Sequence, residues 1–307
     1  MLYFIVNEKS KSGNAKQIWK EIEEVLKVRN VSYQAFVSEY RGHAGKLAAE
    51  ICAMDDNDIC LVAVGGDGTA NEVINGITDF EKVRFGVIPT GSGNDLARGL
   101  SLSKDPKNGA IHILNAMKKS REDTWCMDLG EVNFGEKKRL FAISAGIGLD
   151  ALVCKKALKS TIKDILNKIR LGKLTYLVLT VQSLFTMQTE IFFDREEGLQ
   201  KKRMIFTAAM NFKAEGGGVP MAPAASACDG ELSFCEAAGI PKWRTFLCLP
   251  FLVAAKHTSI HGFSVTDAKD CTIRLSRPMV VHADGEYCGE VTEVHFHCLP
   301  GKLRVLK

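Results

Sequence analysis

Hydrophobic and polar positions follow two rhythms along this chain, and the change falls near Asp128. Before it, short apolar runs take turns with helical spacing. Residues 2–6, 31–37, 59–64 and 85–88 read as strands. Between them, Ile18, Ile22, Val25 and Leu26 fall on one helical face, and residues 43–54 and 70–77 read as further helices. Near-continuous apolar runs such as 59–64 suit strands buried on both faces of a parallel sheet. Alternation of strand and helix implies right-handed crossovers between them. After Asp128 the strands crowd together: residues 140–145, 190–193, 204–210, 232–236, 271–275, 279–282 and 291–298, mostly separated by Gly and Asp turns. That spacing predicts an antiparallel sandwich, interrupted by one helical insertion over 151–187. The fold class expected is therefore α/β plus mainly-β. A doubly wound α/β domain occupies 1–128 and a β-rich domain 129–299, with the closing strand 302–306 open to either half.

Composition narrows the picture. The 307 residues are 46% apolar and 25% charged, which suits a globular chain and excludes a disordered one. A net charge of +4 demands no nucleic acid partner. Ten cysteines without a C-x-x-C pair read as scattered thiols of a cytoplasmic protein, not as a disulfide frame or zinc ribbon. The first apolar run is short and follows no basic segment, so it reads as a buried strand and not a secretory leader. The stretches 174–187, interrupted by Thr and Gln, and 246–255, broken by Pro250, fall short of the ~20 apolar residues that span a bilayer. A membrane would be met from its surface.

Two segments carry candidate chemistry. Gly65-Gly66-Asp67-Gly68-Thr69-Ala70-Asn71-Glu72 stands where a buried strand hands over to a helix, the edge at which open α/β sheets bind ligands. Glycines admit a phosphate close to the backbone, the helix N-terminus offers N–H donors, and Asp67 could hold a bridging magnesium ion. A tight turn is the alternative. Pro89-Thr90-Gly91-Ser92-Gly93-Asn94-Asp95-Leu96-Ala97 repeats the device, with Asn94 or Asp95 as helix cap and an ordinary capped loop as alternative. Neither segment fits the Walker pattern or the dinucleotide fingerprint.

These two segments together, extended to Arg98, resemble the catalytic domain of diacylglycerol kinases, and more closely the bacterial soluble lipid kinases related to sphingosine kinases. Asn7 with Ser10-Lys11-Ser12-Gly13-Asn14 resembles that family's first nucleotide loop, although the usual Asn-Pro is here Asn7-Glu8. Ser38, followed by Gly42-His43-Ala44, takes the place of its second-strand hydroxyl. The resemblance implies an ATP site formed by Asn7, Ser38, Gly65, Gly66, Asp67, Gly68, Thr69, Asn71, Gly91, Ser92, Gly93, Asn94 and Asp95. Gly216-Gly217-Gly218 through Asp229-Gly230-Glu231 is similar to the segment that holds a structural magnesium. Asp229 would give a carboxylate, and Ser226 and Glu231 backbone carbonyls. Read without the family, Asp229-Gly230 is a hairpin turn. Asp284-Gly285-Glu286 likewise reads as a turn on spacing alone, but the resemblance makes Glu286 the general base, beside Asp67 in the catalytic set. Asp128 is either a loop aspartate or part of a carboxylate–water–magnesium network.

Other polar groups read more plainly. His295 and His297 share a strand face, with His282 the one plausible hairpin neighbour. With no carboxylate or thiolate at matched spacing, a solvated face is expected there, as for His257 and His261. In 151–173, Leu158, Ile162, Ile165, Leu166 and Ile169 oppose Lys156, Lys159, Lys163 and Arg170, with Lys155, Lys168 and Lys173 at the flanks. Such a helix either packs on the core or lies on anionic lipid.

The function expected is an ATP- and Mg2+-dependent lipid kinase. It would phosphorylate a lipid hydroxyl, diacylglycerol foremost, in the cleft between its domains, with peripheral membrane contact at the inner face. Relatives imply a homodimer. The alternatives are a small-molecule kinase resembling NAD kinase and a nucleotide- or lipid-binding regulator with little turnover.

Overall fold

The computed structural model describes residues 1–10, 15–159, 172–187, 192–195 and 202–307. Contacts divide the chain into two compact units, Met1–Met127 with Gly301–Lys307, and Asp128–Pro300.

The first unit runs β1 (Leu2–Val6), α1 (Ala15–Val28), β2 (Tyr33–Val37), α2 (His43–Cys52), β3 (Ile59–Gly65), α3 (Asp67–Gly76), β4 (Val83–Pro89), α4 (Asp95–Gly99) and α5 (Pro106–Ala116). Its strands are parallel in the order β4-β3-β1-β2. β1, β3 and β4 are buried along their whole length, as central parallel strands covered on both faces must be. Leu2, Phe4 and Val6 face Trp19, Ile22 and Leu26 of α1 and Ile113 and Leu114 of α5. Alternate residues such as Tyr3 and Ile5 point to the other face. Phe4, Trp19 and Tyr33 form an aromatic trio with ring centroids 5.1 to 6.1 Å apart, fixing α1 over the sheet.

The second unit contains most of β5 (Trp125–Phe134), then β6 (Lys137–Phe141), β7 (Ser144–Gly148), α6 (Leu149–Lys159), α7 (Gly172–Thr186), β8 (Phe192–Arg195), β9 (Lys202–Met210), β10 (Leu232–Ala238), α8 (Lys242–Val253), β11 (Phe263–Ala268), β12 (Asp270–Ala283) and β13 (Glu286–Val305). Antiparallel pairing gives the order β11-β10-β9-β7-β12-β13. The last residues of β13 belong to the first unit, where Arg304 and Val305 pair parallel to β4.

Several strand boundaries differ from the sequence expectation. The run 140–145 is not one strand: it splits into the end of β6 and the start of β7, and the break frees the N–H groups of Ala142 and Ile143 for other partners. Residues 271–275 and 279–282 join into one β12, with a register shift between Arg274 and Met279 that absorbs the polar residues between them. β11 escapes hydrophobic patterning because only Phe263 of its residues is fully buried. The stretch 246–255 lies mostly in α8, which carries Pro250 inside it. The helical insertion is described only in part: of the helix 151–173, the side chains from Leu158 to Lys173 lie outside the described residues. Two lysines assigned there to solvent or lipid bind the protein instead, Lys155 to Glu290 at 2.6 Å and Lys156 to Thr186 Oγ1 at 2.8 Å.

Candidate active site

In the first unit, the C-terminal ends of all four parallel strands deliver polar or glycine residues to one edge. Asn7 follows β1, Ser38 follows β2, Gly66 follows β3 and Thr90 follows β4. The β3 and β4 loops come closest at Gly66 and Gly91. A Cβ at Gly91 would lie 2.6 Å from the Gly66 Cα, so no side chain fits at that contact. Asn7 Nδ2 donates to Thr69 Oγ1 at 3.0 Å, and Ser10 Oγ meets Thr90 Oγ1 at 2.5 Å, which binds the loops after β1, β3 and β4 together. Ser38 is buried and its N–H donates to Val6 O. Lys11 to Asn14 lie outside the described residues.

Helix α3 begins with Asp67, and its N-cap residue, Gly66, has no side chain to offer the first N–H groups. Asp67 is half-buried, and its Oδ1 accepts the Leu96 N–H at 3.1 Å. Burial pushes its carboxyl up from the ordinary value, against the opposing influence of backbone donors at Leu96 and Asn94 and of Arg98. Asn94 occupies the N-cap position of α4 in the left-handed region, yet its side chain does not cap. It turns back instead, accepting the Gly91 N–H at 2.9 Å and donating to Gly91 O at 2.8 Å. Arg98 pairs with the buried Asp95 and donates to Gly93 O. Asn71 is buried, with Oδ1 and O accepting from Asn75, and Glu72 accepts the Gly42 N–H at 2.8 Å. Sequence patterning did not single out Tyr40, whose exposed ring stacks on His43 with centroids 4.5 Å apart just past β2.

In the second unit, Asp284 and Gly285 form the two-residue turn between β12 and β13, both at positive φ, which an Asp-Gly pair tolerates. The Asp284 carboxylate is an anchor. It accepts the N–H groups of Ala142 at 2.8 Å, Ile143 at 2.8 Å and Ser144 at 3.1 Å. Glu286 follows, half-buried, at the first position of β13. Beneath the turn lies a polar cluster that motif reading missed, because its members are far apart in sequence. His282 sits opposite Tyr287, not beside His295 and His297 as expected. Its Nε2 donates to Asp150 at 2.5 Å and its Nδ1 accepts the Gly285 N–H at 3.2 Å. Burial and the neighbouring Asp150 push the Glu215 carboxyl up to about 8, so at neutral pH it is a donor to Asp150, while it accepts from Ser144 Oγ. Asp150 itself stays below its ordinary value: burial opposes ionisation, but His282 and the Glu215 hydrogen bond more than offset it.

The segment 226–231 exposes the Asp229 carboxylate beside Ser226 and Glu231. Asp128 shapes it from below. Buried, it donates its N–H to Ala227 O at 2.8 Å and accepts the Gly230 N–H through Oδ2 at 2.8 Å. The groups the resemblance names there, from Ser226, Asp229 and Glu231, offer oxygen, as a magnesium site requires. His257 is not solvated as expected but fully buried, with Nε2 against Met221 O at 2.9 Å.

The family described as diacylglycerol kinase catalytic domain matches residues 1–127, and the YegS C-terminal NAD kinase beta sandwich-like domain matches residues 144–307. The chain is 30% identical to a Bacillus subtilis (strain 168) protein called "Putative lipid kinase YtlR", over 99% of this chain and 98% of that protein. It is 28% identical to a diacylglycerol kinase of the same organism, over 79% of this chain and 75% of the relative. In fold it is similar to a crystal structure of a "putative diacylglycerol kinase" from Bacillus anthracis str. Sterne, with a TM-score of 0.76 at 21% identity, covering 99% and 96% of the two chains. An NAD kinase from Archaeoglobus fulgidus in complex with ATP gives 0.54 at 12% identity, covering 100% and 94%.

Proposed function

The chain belongs to the diacylglycerol kinase catalytic-domain family of lipid kinases, and we propose that it transfers the γ-phosphate of ATP to the hydroxyl of diacylglycerol, giving phosphatidic acid and ADP. The observation that carries this reading is the edge of the first unit, where Gly66 and Gly91 touch without side chains and the uncapped start of α3 opens beside them. Backbone N–H donors with no Cβ in the way are what a triphosphate needs. Asn7, Ser38, Thr69, Asn71, Ser92, Asn94 and Asp95 complete the polar rim, with Gly65, Gly68 and Gly93 giving close approach.

Glu286 is the general base in this reading. It accepts the lipid hydroxyl proton as that oxygen bonds to the γ-phosphorus and the bond to the ADP oxygen breaks. The three N–H groups that hold Asp284 keep the turn rigid, so Glu286 starts from a fixed backbone. Magnesium, when bound, supplies charge neutralisation at the phosphates; Asp67 would hold it there, and Asp229 with the carbonyls of Ser226 and Glu231 would hold a second ion. Asp128 positions that second ligand set through its bonds to Ala227 and Gly230.

The acceptor is delivered from a membrane surface in this reading. Among the described residues no helix is long and apolar enough to cross a bilayer. Helix α8 buries Thr245, Cys248, Leu249 and Leu252, yet its outward face carries Trp243, Phe246, Leu247, Phe251 and Val253, all exposed. A surface helix ordinarily presents polar groups there. Phe185 of α7 extends the patch, 6.0 Å from Phe246 between ring centroids. Arg244 and Lys256 are exposed beside it, and residues 237–266 contain no acidic side chain, which suits anionic lipid.

The test is ADP release with magnesium, ATP and a panel of dispersed lipids, comparing the native chain with Glu286→Gln. Turnover on diacylglycerol that falls by about 10²-fold or more in the variant supports substrate and base together. Turnover on another lipid alone moves the acceptor. ATP-dependent thermal stabilisation with no turnover on any lipid favours a binding protein.

A further inference from the structure

Among the described residues, two groups of metal-ligating side chains lie in the second unit, and their hydrogen bonds separate them. The first is Asp150, Cys154 and His282. Both imidazole nitrogens of His282 are engaged there: Nε2 donates to Asp150 and Nδ1 accepts the Gly285 N–H. A histidine metal ligand instead keeps its second nitrogen protonated toward an acceptor. The arrangement leaves no lone pair for an ion, and burial keeps the Cys154 thiol protonated. That cluster is a proton network.

The second is Asp270, His295 and His297. Cross-strand pairing brings them together: Asp270 at the start of β12 lies opposite His297 of β13, and Thr272 lies opposite His295. Val294, Phe296 and Cys298 are fully buried on the inner face, which turns both histidines to the outer one. Their rings are 18° from parallel, with centroids 6.3 Å apart. The carboxylate that sequence spacing failed to supply is Asp270, 25 and 27 residues from the two histidines in the chain but directly across the ladder from His297.

One of the two distances suits a shared ion better than a hydrogen bond, and the other is a hydrogen bond that an ion would replace. Asp270 Oδ1 lies 3.5 Å from His295 Nε2, too long for a good hydrogen bond. It is close to the ~3.3 Å between two ligand atoms of a tetrahedral zinc site with bonds near 2.0 Å. His295 Nδ1 is 3.0 Å from Thr272 Oγ1, so the ring can donate Nδ1–H to a hydroxyl and turn a bare Nε2 toward the shared centre. His297 Nδ1, 2.5 Å from Asp270 Oδ1, holds a proton against the carboxylate. An ion that displaces this proton needs the ring to draw back by about 0.8 Å to reach the same edge length, a small shift for a partly exposed side chain.

We infer that Asp270, His295 and His297 form a binding site for a divalent transition-metal ion of the zinc class, with water completing its coordination. Two imidazoles and one carboxylate select borderline metals, not magnesium or calcium, which take oxygen ligands. The site is distinct from the magnesium ligands of the kinase reading and does not rest on that reading. Its structural effect is to cross-link β12 to β13 at the end of the hairpin opposite the Asp284-Gly285 turn.

Metal-free full-length protein titrated with Co2+, and separately with Zn2+ followed by calorimetry, tests this. The expected result is one ion per chain with a Kd in the micromolar range, a visible Co2+ ligand-field spectrum without a thiolate charge-transfer band, and a raised melting temperature. Asp270→Asn and His297→Gln each weaken binding by at least about tenfold, while Cys154→Ser leaves it unchanged. No binding at millimolar metal overturns the site and leaves two His–Asp contacts. Binding that survives both substitutions, or a thiolate band lost in Cys154→Ser, also overturns it.

Discussion

Ser144 and Asp284 are bonded to each other twice, once through the Asp284 carboxylate and once backbone to backbone: the Ser144 N–H donates to Asp284 Oδ1 at 3.1 Å, and the Asp284 N–H donates to Ser144 O at 2.8 Å. The Ser144 hydroxyl then reaches Glu215. One serine at the start of β7 thus ties the turn that carries Glu286 to the buried acid cluster.

Asp284→Asn and Glu286→Gln should therefore separate anchoring from chemistry. The asparagine cannot accept all three N–H groups, so the variant should lose about 1–3 kcal/mol of stability in a denaturant titration. Glu286→Gln should melt like the native chain and lose activity. Equal stability in both variants would mean that the anchor is dispensable.

Gly91→Ala places a methyl 2.6 Å from the Gly66 Cα. The two loops must part, and in the proposed kinase reading backbone donors then move away from the phosphates. ATP affinity, read from ligand-dependent melting, should fall by about tenfold or more, equivalent to one lost hydrogen bond to a charged group. An unchanged thermal shift would place the nucleotide elsewhere.

Glu215 retains its proton up to about pH 8 in the folded chain but would release it near 4.5 when unfolded. Between those values the folded state binds more protons, so this residue makes stability fall as pH rises, with no further change above the window. Glu215→Gln keeps a donor for Asp150 and an acceptor for Ser144. Chemical denaturation from pH 5 to 8 should show a flatter slope in the variant. The same slope in both chains would mean that Glu215 ionises normally.

Leu247 is more than half exposed on the outward face of α8. Leu247→Glu should leave the fold and solution ATP binding intact while cutting co-sedimentation with anionic vesicles by about tenfold or more, the worth of one buried leucine. Unaltered vesicle binding would remove α8 from the membrane contact.

Much of the first unit was legible because its signals are local. A buried parallel strand is a continuous apolar run, and Gly65-Gly66-Asp67 or Gly91-Ser92-Gly93 marks the loop after it within a few residues. What those glycines do was not legible: that Gly66 and Gly91 meet each other, and that Asn94 bonds back to Gly91 in place of capping α4, depends on two strands lying side by side. The same holds in the second unit. Asp-Gly announces a turn, but nothing near Asp284 in sequence shows that its carboxylate gathers the N–H groups of Ala142, Ile143 and Ser144.

The sequence by itself determined the class of fold, the strand-end positions of the glycine loops and, through its motifs, the family. Each of these is written in the period-two or helical spacing of neighbouring residues, or in short fixed spacings. Only the tertiary structure decided which distant groups share a proton or a carboxylate: His282 with Asp150, Glu215 with Ser144, and Asp270 with His295 and His297. Antiparallel pairing joins residues by ladder position rather than by distance along the chain, and a register shift such as that between Arg274 and Met279 changes every partner beyond it. No local pattern encodes that shift, because it is set by how the whole sheet packs.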